Sequence, residues 1–73
     1  MSAPQRFTIP AMVVELGGQE PQVILKPPAP LPLFRVRCER ETVRTLAQHL
    51  YRWLDVTVDG GKLVDFTSRP EAP

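Results

Sequence analysis

Apolar and polar residues alternate one by one along several stretches of this chain and fall at helical spacing along another. Phe34, Val36 and Cys38 alternate with Arg35, Arg37 and Glu39, the period-two pattern of a strand with one buried face. Directly after it, Val43, Leu46, Ala47, Leu50, Trp53 and Leu54 form one apolar stripe at helical spacing. Alternation resumes with Leu54, Val56 and Val58, Asp59-Gly60-Gly61 turns the chain, and Leu63 to Thr67 return as a last strand. The stretch 33–67 therefore reads as strand, helix and hairpin. The helix is expected over Arg40 to Trp53, with Glu39 and Glu41 at its positive end, Arg52 near its negative end and Thr42 as an alternative cap. A crossover of this length suits parallel neighbours, so the strands 34–39 and 54–59 are expected side by side in right-handed connection.

Upstream, Arg6 to Leu16 reads as a first strand with Phe7, Ile9, Ala11 and Val13 on one face and Met12, Val14 and Leu16 on the other. Pro10 has no N–H for a ladder and marks an edge or a bulge. Gly17-Gly18-Gln19-Glu20-Pro21 is a turn signal, and Gln22 to Lys26 reads as the returning strand. Residues 27–32 hold four prolines in six positions, a composition that favours an extended polyproline path. A docking peptide for an aromatic groove needs a basic residue at a set offset from its prolines, and neither Lys26 nor Arg35 provides one. A stiff connector is the preferred reading.

These elements predict a small α+β domain: four to five strands, made of an N-terminal hairpin and then strand–helix–hairpin, with one amphipathic helix on one face. Its expected extent is residues 6–67, preceded by a flexible start at 1–5 and followed by a disordered tail at 68–73. One helix covers only one face. The other is expected to carry Arg35, Arg37, Asp55, Thr57, Leu63 and Asp65, joined by Met12, Val14 and Ile24 from the first hairpin. Large apolar side chains among arginines and aspartates on an open face have the character of contact surface. The bland alternative turns the first strand over, with Met12 and Val14 in the core and Ile9 and Val13 outside.

Length changes the picture, because 73 residues give a thin core. At this size a single core rarely leaves more than ~3–5 kcal/mol of net stability without a staple. Cys38 is the one cysteine and His49 the one histidine, which excludes an internal disulfide and a structural zinc site. A partner chain is the staple that remains. A lone thiol, no secretory leader and no apolar run near the ~20 residues of a membrane span point to the cytoplasm.

Charge is balanced overall at +1 but unevenly spread. Arg35, Arg37, Arg40, Arg44 and Arg52 face only Glu39 and Glu41 between residues 35 and 52, a local +3 that leaves −2 for the rest. Arg40, Arg44 and Arg52 fall on one face of the expected helix, with Arg35 and Arg37 on the outer face of the strand before it. Arginine suits carboxylate and phosphate recognition through its planar pair of donors. A sheet that binds single strands places exposed aromatics among its arginines, and none is expected here. A solvated helix face is the bland reading of that stripe.

Catalytic chemistry finds little footing. A thiol–imidazole pair would need Cys38, on the inward side of its strand, to meet His49, which points away from the main apolar stripe, and nothing supplies a third member. Asp55, Asp59 and Asp65 alternate with apolar residues at solvent-side strand positions, where solvated charge is expected. The glycine pairs are turn residues, since no helix follows either directly. No cofactor, metal or enzymatic activity is expected.

The expectation that follows is a non-enzymatic protein-binding module, a regulator, inhibitor or accessory subunit, contacting its partner through Arg35, Arg37, Asp55, Leu63, Asp65, Met12 and Val14. An isologous homodimer is compatible with it. Small arginine-rich α+β chains of this kind are common among phage and bacterial accessory proteins, a likeness of composition and not of motifs. The first alternative is a weak nucleic-acid binder using Arg40, Arg44 and Arg52; the second is a structural component of an assembly.

Overall fold

Every stretch of alternation becomes a strand in the computed structural model, which describes residues 6–17 and 19–73. The flexible start expected at 1–5 lies outside them, as does Gly18 of the first turn. The order is β1 (Arg6–Leu16), β2 (Gln22–Lys26), β3 (Phe34–Arg37), α1 (Arg40–Leu46) with a 3-10 turn (Ala47–His49), β4 (Trp53–Asp59) and β5 (Lys62–Ser68). This is the expected small α+β fold, a five-stranded mixed sheet with one short helix.

The sheet closes on itself in the order β1-β2-β3-β5-β4. Closure depends on β1, which serves two neighbours. Its residues from Arg6 to Met12 run antiparallel to β4, and those from Met12 to Leu16 run antiparallel to β2. The register steps between Val13 and Glu15, so Val14 is a bulge that bends β1 from one partner to the other. Pro10 sits in the part of β1 paired with β4 alone, which meets the edge expectation. β3 and β5 meet in parallel at a single pair, Arg37 with Lys62, where the Arg37 N–H donates to the Gly61 carbonyl at 3.1 Å.

That closure corrects the expected neighbourhood of β3 and β4. The parallel neighbour of β3 is β5. The turn at Gly60 and Gly61, both at positive φ (60° and 79°), folds β5 antiparallel onto one edge of β4. β1 occupies the other edge, so β5 alone remains for β3. The helix is also shorter than expected: Trp53 and Leu54 belong to β4. After the 3-10 turn, Tyr51 takes φ 62° and donates its N–H to the Val13 carbonyl at 3.0 Å, which reverses the chain before a further helical turn forms. Glu39, and not Thr42, is the cap residue, without a side-chain cap bond. Its carboxylate instead accepts from Lys62 Nζ at 3.0 Å.

The inner positions of the strands fill the barrel. Ala11 and Val13 from β1, Val23 and Leu25 from β2, Val36 from β3, Leu54, Val56 and Val58 from β4, and Leu63 from β5 are buried, together with Cys38. The turned-over alternative for β1 therefore fails, since Val13 is inside and Met12 outside. α1 adds one fully buried residue, Leu46, with Val43 and Leu50 packed beside it. Burying a leucine is worth about 1.5–3 kcal/mol, a large share for so thin a core.

Two further corrections concern strand β5 and the prolines. Leu63 was expected on the outer face and is 1% exposed, whereas Val64 is 45% exposed. The β4–β5 register shifts between Thr57 and Val58, pairing Asp65 and Leu63 with consecutive β4 residues and leaving Val64 unpaired. This bulge inverts the alternation. The segment 27–32 does connect β2 to β3, but it bends where an extended path was expected: the Leu31 N–H donates to the Pro28 carbonyl at 3.1 Å. Ser68, expected in the tail, ends β5, and Arg69 continues the pattern by donating its N–H to the Trp53 carbonyl at 3.2 Å.

Candidate functional site

The outward positions of β1, β2 and β3 form one wall of the barrel. Register dictates its composition. Ile24 lies opposite Arg35 and Gln22 opposite Arg37 across β2 and β3, while Met12 lies opposite Lys26 across β1 and β2. Cross-strand neighbours share a face, so apolar Met12 and Ile24 alternate with Lys26, Arg35 and Arg37 over a short distance. Both arginines are exposed, and Met12 and Ile24 are half-buried.

These three cations share with Arg40, Arg44 and Arg52 the lack of an ion-pair partner among the described residues, and what distinguishes them is their place on one sheet wall. Among the described residues the ion pairs are Arg6 with Asp59 at 3.5 Å, Lys62 with Glu39 at 3.0 Å and Arg69 with Asp55 at 2.6 Å. Lys26, Arg35 and Arg37 take part in none of them. The acidic residue nearest in register is Glu15, opposite Ile24.

Of the residues singled out from sequence, Arg35, Arg37, Met12 and Val14 come together on or beside this wall. Asp55 and Asp65 do not. They stand on β4 and β5, where Asp55 accepts from Arg69 and Asp65 lies opposite Thr57. Leu63 is in the core. Arg40 and Arg44 are exposed on α1, but Arg52 follows the 3-10 turn in a loop, so the expected stripe of three helix arginines does not form.

Three depressions border the wall at the end where β2 passes into β3. One of about 250 Å³ is lined only by apolar and proline side chains, among them Phe7, Ile9, Leu31 and Phe34. A second, about 490 Å³, lies between Val14 and Lys26 on one side and the proline segment with Leu31 and Leu33 on the other. The third, about 330 Å³, is formed by Ile24, Leu33, Phe34 and Arg35. Sequence reasoning missed Lys26, Leu31 and Leu33 here, and its expectation of no exposed aromatic fails at Phe7, which is 46% exposed because the part of β1 that carries it pairs with β4 alone. Lys26 was legible from standing two residues beyond Ile24, on the same outward face of β2, and the two leucines from being the apolar residues beside Pro30 and Pro32.

The thiol and the imidazole are placed apart in chemistry. Cys38 is buried as expected, and desolvation pushes its thiol pKa up, with the Lys62 charge pulling the other way and Glu39 adding to the rise. His49, expected to point away from the apolar stripe, packs its ring edge-on against Phe66 with centroids 5.8 Å apart. Its Nδ1 is buried with no hydrogen-bond partner. Among the described residues no three His, Cys, Asp or Glu side chains are grouped to hold a metal ion, and no helix is long and apolar enough to cross a membrane. No family model matches the chain, and neither does any curated protein or solved structure.

Proposed function

We propose that this chain is a non-enzymatic protein-binding module of the cytoplasm, a regulator, inhibitor or accessory subunit, and that its contact surface is the outer wall of β1, β2 and β3. The observation that carries this reading is the pairing of unmatched cations with apolar neighbours on that wall: Arg35 and Arg37 hold no carboxylate, Ile24 lies opposite Arg35, and Met12 lies opposite Lys26. Arginine and methionine are enriched at protein interfaces, where exposed apolar area is removed from water beside charge-assisted hydrogen bonds. The inert setting of Cys38 and the packing of His49 on Phe66 support a binding role over a catalytic one.

The Arg35→Glu/Arg37→Glu double variant is expected to lose partner binding with an unchanged far-UV circular dichroism spectrum, since both side chains are exposed. Retention of binding by the double variant would place the contact elsewhere. A second reading has one observation in its favour. Five-stranded Greek-key barrels of the OB type present oligonucleotides on the strand 2 and strand 3 wall, the same wall as here, although shared architecture is an analogy and not a function. Under that reading the logarithm of affinity for a single strand falls with the logarithm of salt, by about 0.7 per phosphate neutralised. A flat salt dependence excludes it.

A further inference from the structure

The three depressions beside the wall adjoin along the proline segment and together make an uneven groove that the segment divides. The apolar one shares Pro27, Leu31 and Pro32 with the one that holds Lys26, and shares Phe34 with the one that holds Arg35. Leu33 belongs to both of the last two. The proline segment thus forms a ridge with depressions on both sides. Its two leucines stand proud, Leu31 at 55% and Leu33 at 56% exposure, and Phe7 across the apolar depression is 46% exposed. These are among the five large apolar side chains most exposed in the described residues, and they cluster at one end of a small barrel.

The charged side chains that line the groove have one sign, with Glu15, opposite Ile24, at its border. Lys26 and Arg35 line it, neither in an ion pair among the described residues, and no acidic side chain is among its lining residues. We infer that this groove is a docking site for an acidic peptide segment of a partner protein, one that seats aliphatic or aromatic side chains over Leu31, Phe7 and Phe34 and sets carboxylates on Lys26 and Arg35. Two features select this occupant. A basic or neutral apolar segment leaves the two cations desolvated without a counter-charge, which costs free energy. A nucleic acid finds the same two cations and two rings, Phe7 and Phe34, but the rest of the apolar lining is aliphatic and proline side chains, not the run of stacking platforms that successive bases use. A stiff proline ridge also enters the complex with little chain entropy left to lose, which favours recognition by a preformed surface.

This inference rests on the protein-binding reading, and the test separates the two. A random 16-residue peptide library displayed on messenger RNA is selected against the immobilised chain, and enriched peptides are synthesised and titrated. The expected result is a family of sequences rich in Asp and Glu around Leu, Ile, Phe or Trp. Affinity should fall by about tenfold or more on Leu31→Asp, as expected for an apolar anchor of that size. It should also fall on Lys26→Glu and weaken with salt. Leu31 is exposed, so the fold should survive, which circular dichroism checks. Acidic peptides that lose affinity on Arg37→Glu but not on Leu31→Asp place the partner on the wall outside the groove; they overturn this inference and leave the protein-binding reading standing. Enrichment of basic or uncharged peptides, competition of the peptides by oligo-dT, or no enrichment at all overturns the inference as well.

Discussion

The bulge in β5 makes opposite demands on two adjacent residues, and stability measurements can read them. Leu63 is 1% exposed and its neighbour Val64 45% exposed. Leu63→Ala removes about three methylene equivalents from the interior, roughly 2.4 kcal/mol of transfer free energy at ~0.8 kcal/mol each. The space left by a side chain packed within a barrel adds a cavity term, so the total falls within ~2–5 kcal/mol. Val64→Ala trims an exposed side chain that packs against little, and should change stability by less than about 0.5 kcal/mol. A domain of this size has about 3–5 kcal/mol in all, so Leu63→Ala should remove half or more of it. The single tryptophan, Trp53, is half-buried on β4 opposite Met12 and gives a fluorescence signal for urea unfolding. Equal slopes for the three proteins would show that the midpoint differences report stability alone. A Val64→Ala loss equal to or larger than that of Leu63→Ala would refute the bulge and restore strict alternation along β5.

Two more perturbations test the interior and the chain reversal. The Cys38 thiol, held neutral by burial, should react with iodoacetamide far more slowly in the folded than in the urea-unfolded protein. Because its pKa is raised on folding, the unfolded state is the one that releases the proton first as pH passes the ordinary value of 9.0, so stability should decline above that pH and the Cys38→Ala variant should show a flatter profile. Tyr51 is 66% exposed and holds φ 62°, a conformation that costs a side-chain-bearing residue about 1 kcal/mol. Tyr51→Gly should therefore raise the unfolding midpoint, against the usual cost of adding glycine; a lower midpoint would mean that the tyrosine ring contributes more than its backbone loses.

Strand positions were legible because a half-buried strand writes its burial directly into the order of residues. β2 runs over Gln22–Lys26, as its flanking turn and alternation require. What alternation does not carry is partnership. Nothing in the pattern of β1 says that its first half faces β4 and its second half β2, yet that division closes the barrel. Bulges are illegible for a related reason: one extra residue at Val14 or Val64 shifts the phase without changing composition, and Leu63 was misplaced on that account. The end of α1 was misread because Trp53 and Leu54 satisfy the helical spacing and the strand spacing at once. On the candidate wall, Arg35 and Arg37 could be found from one strand alone. Grouping them with Lys26 and separating them from Asp55 required the register between strands.

The division of β1 between two partners also sets an order of events. Its second half meets β2 across a short turn, while its first half pairs with a strand more than forty residues further along, Arg6 opposite Asp59. Pairings of such separation form late and slow the folding of small β proteins. During that interval Phe7 and Ile9 lie on half of a strand with no neighbour, the arrangement that invites pairing with another molecule. Pro10 stands in the middle of that stretch and has no N–H to offer. With one ladder donor missing, that stretch is a weaker template for a foreign strand while it waits for β4.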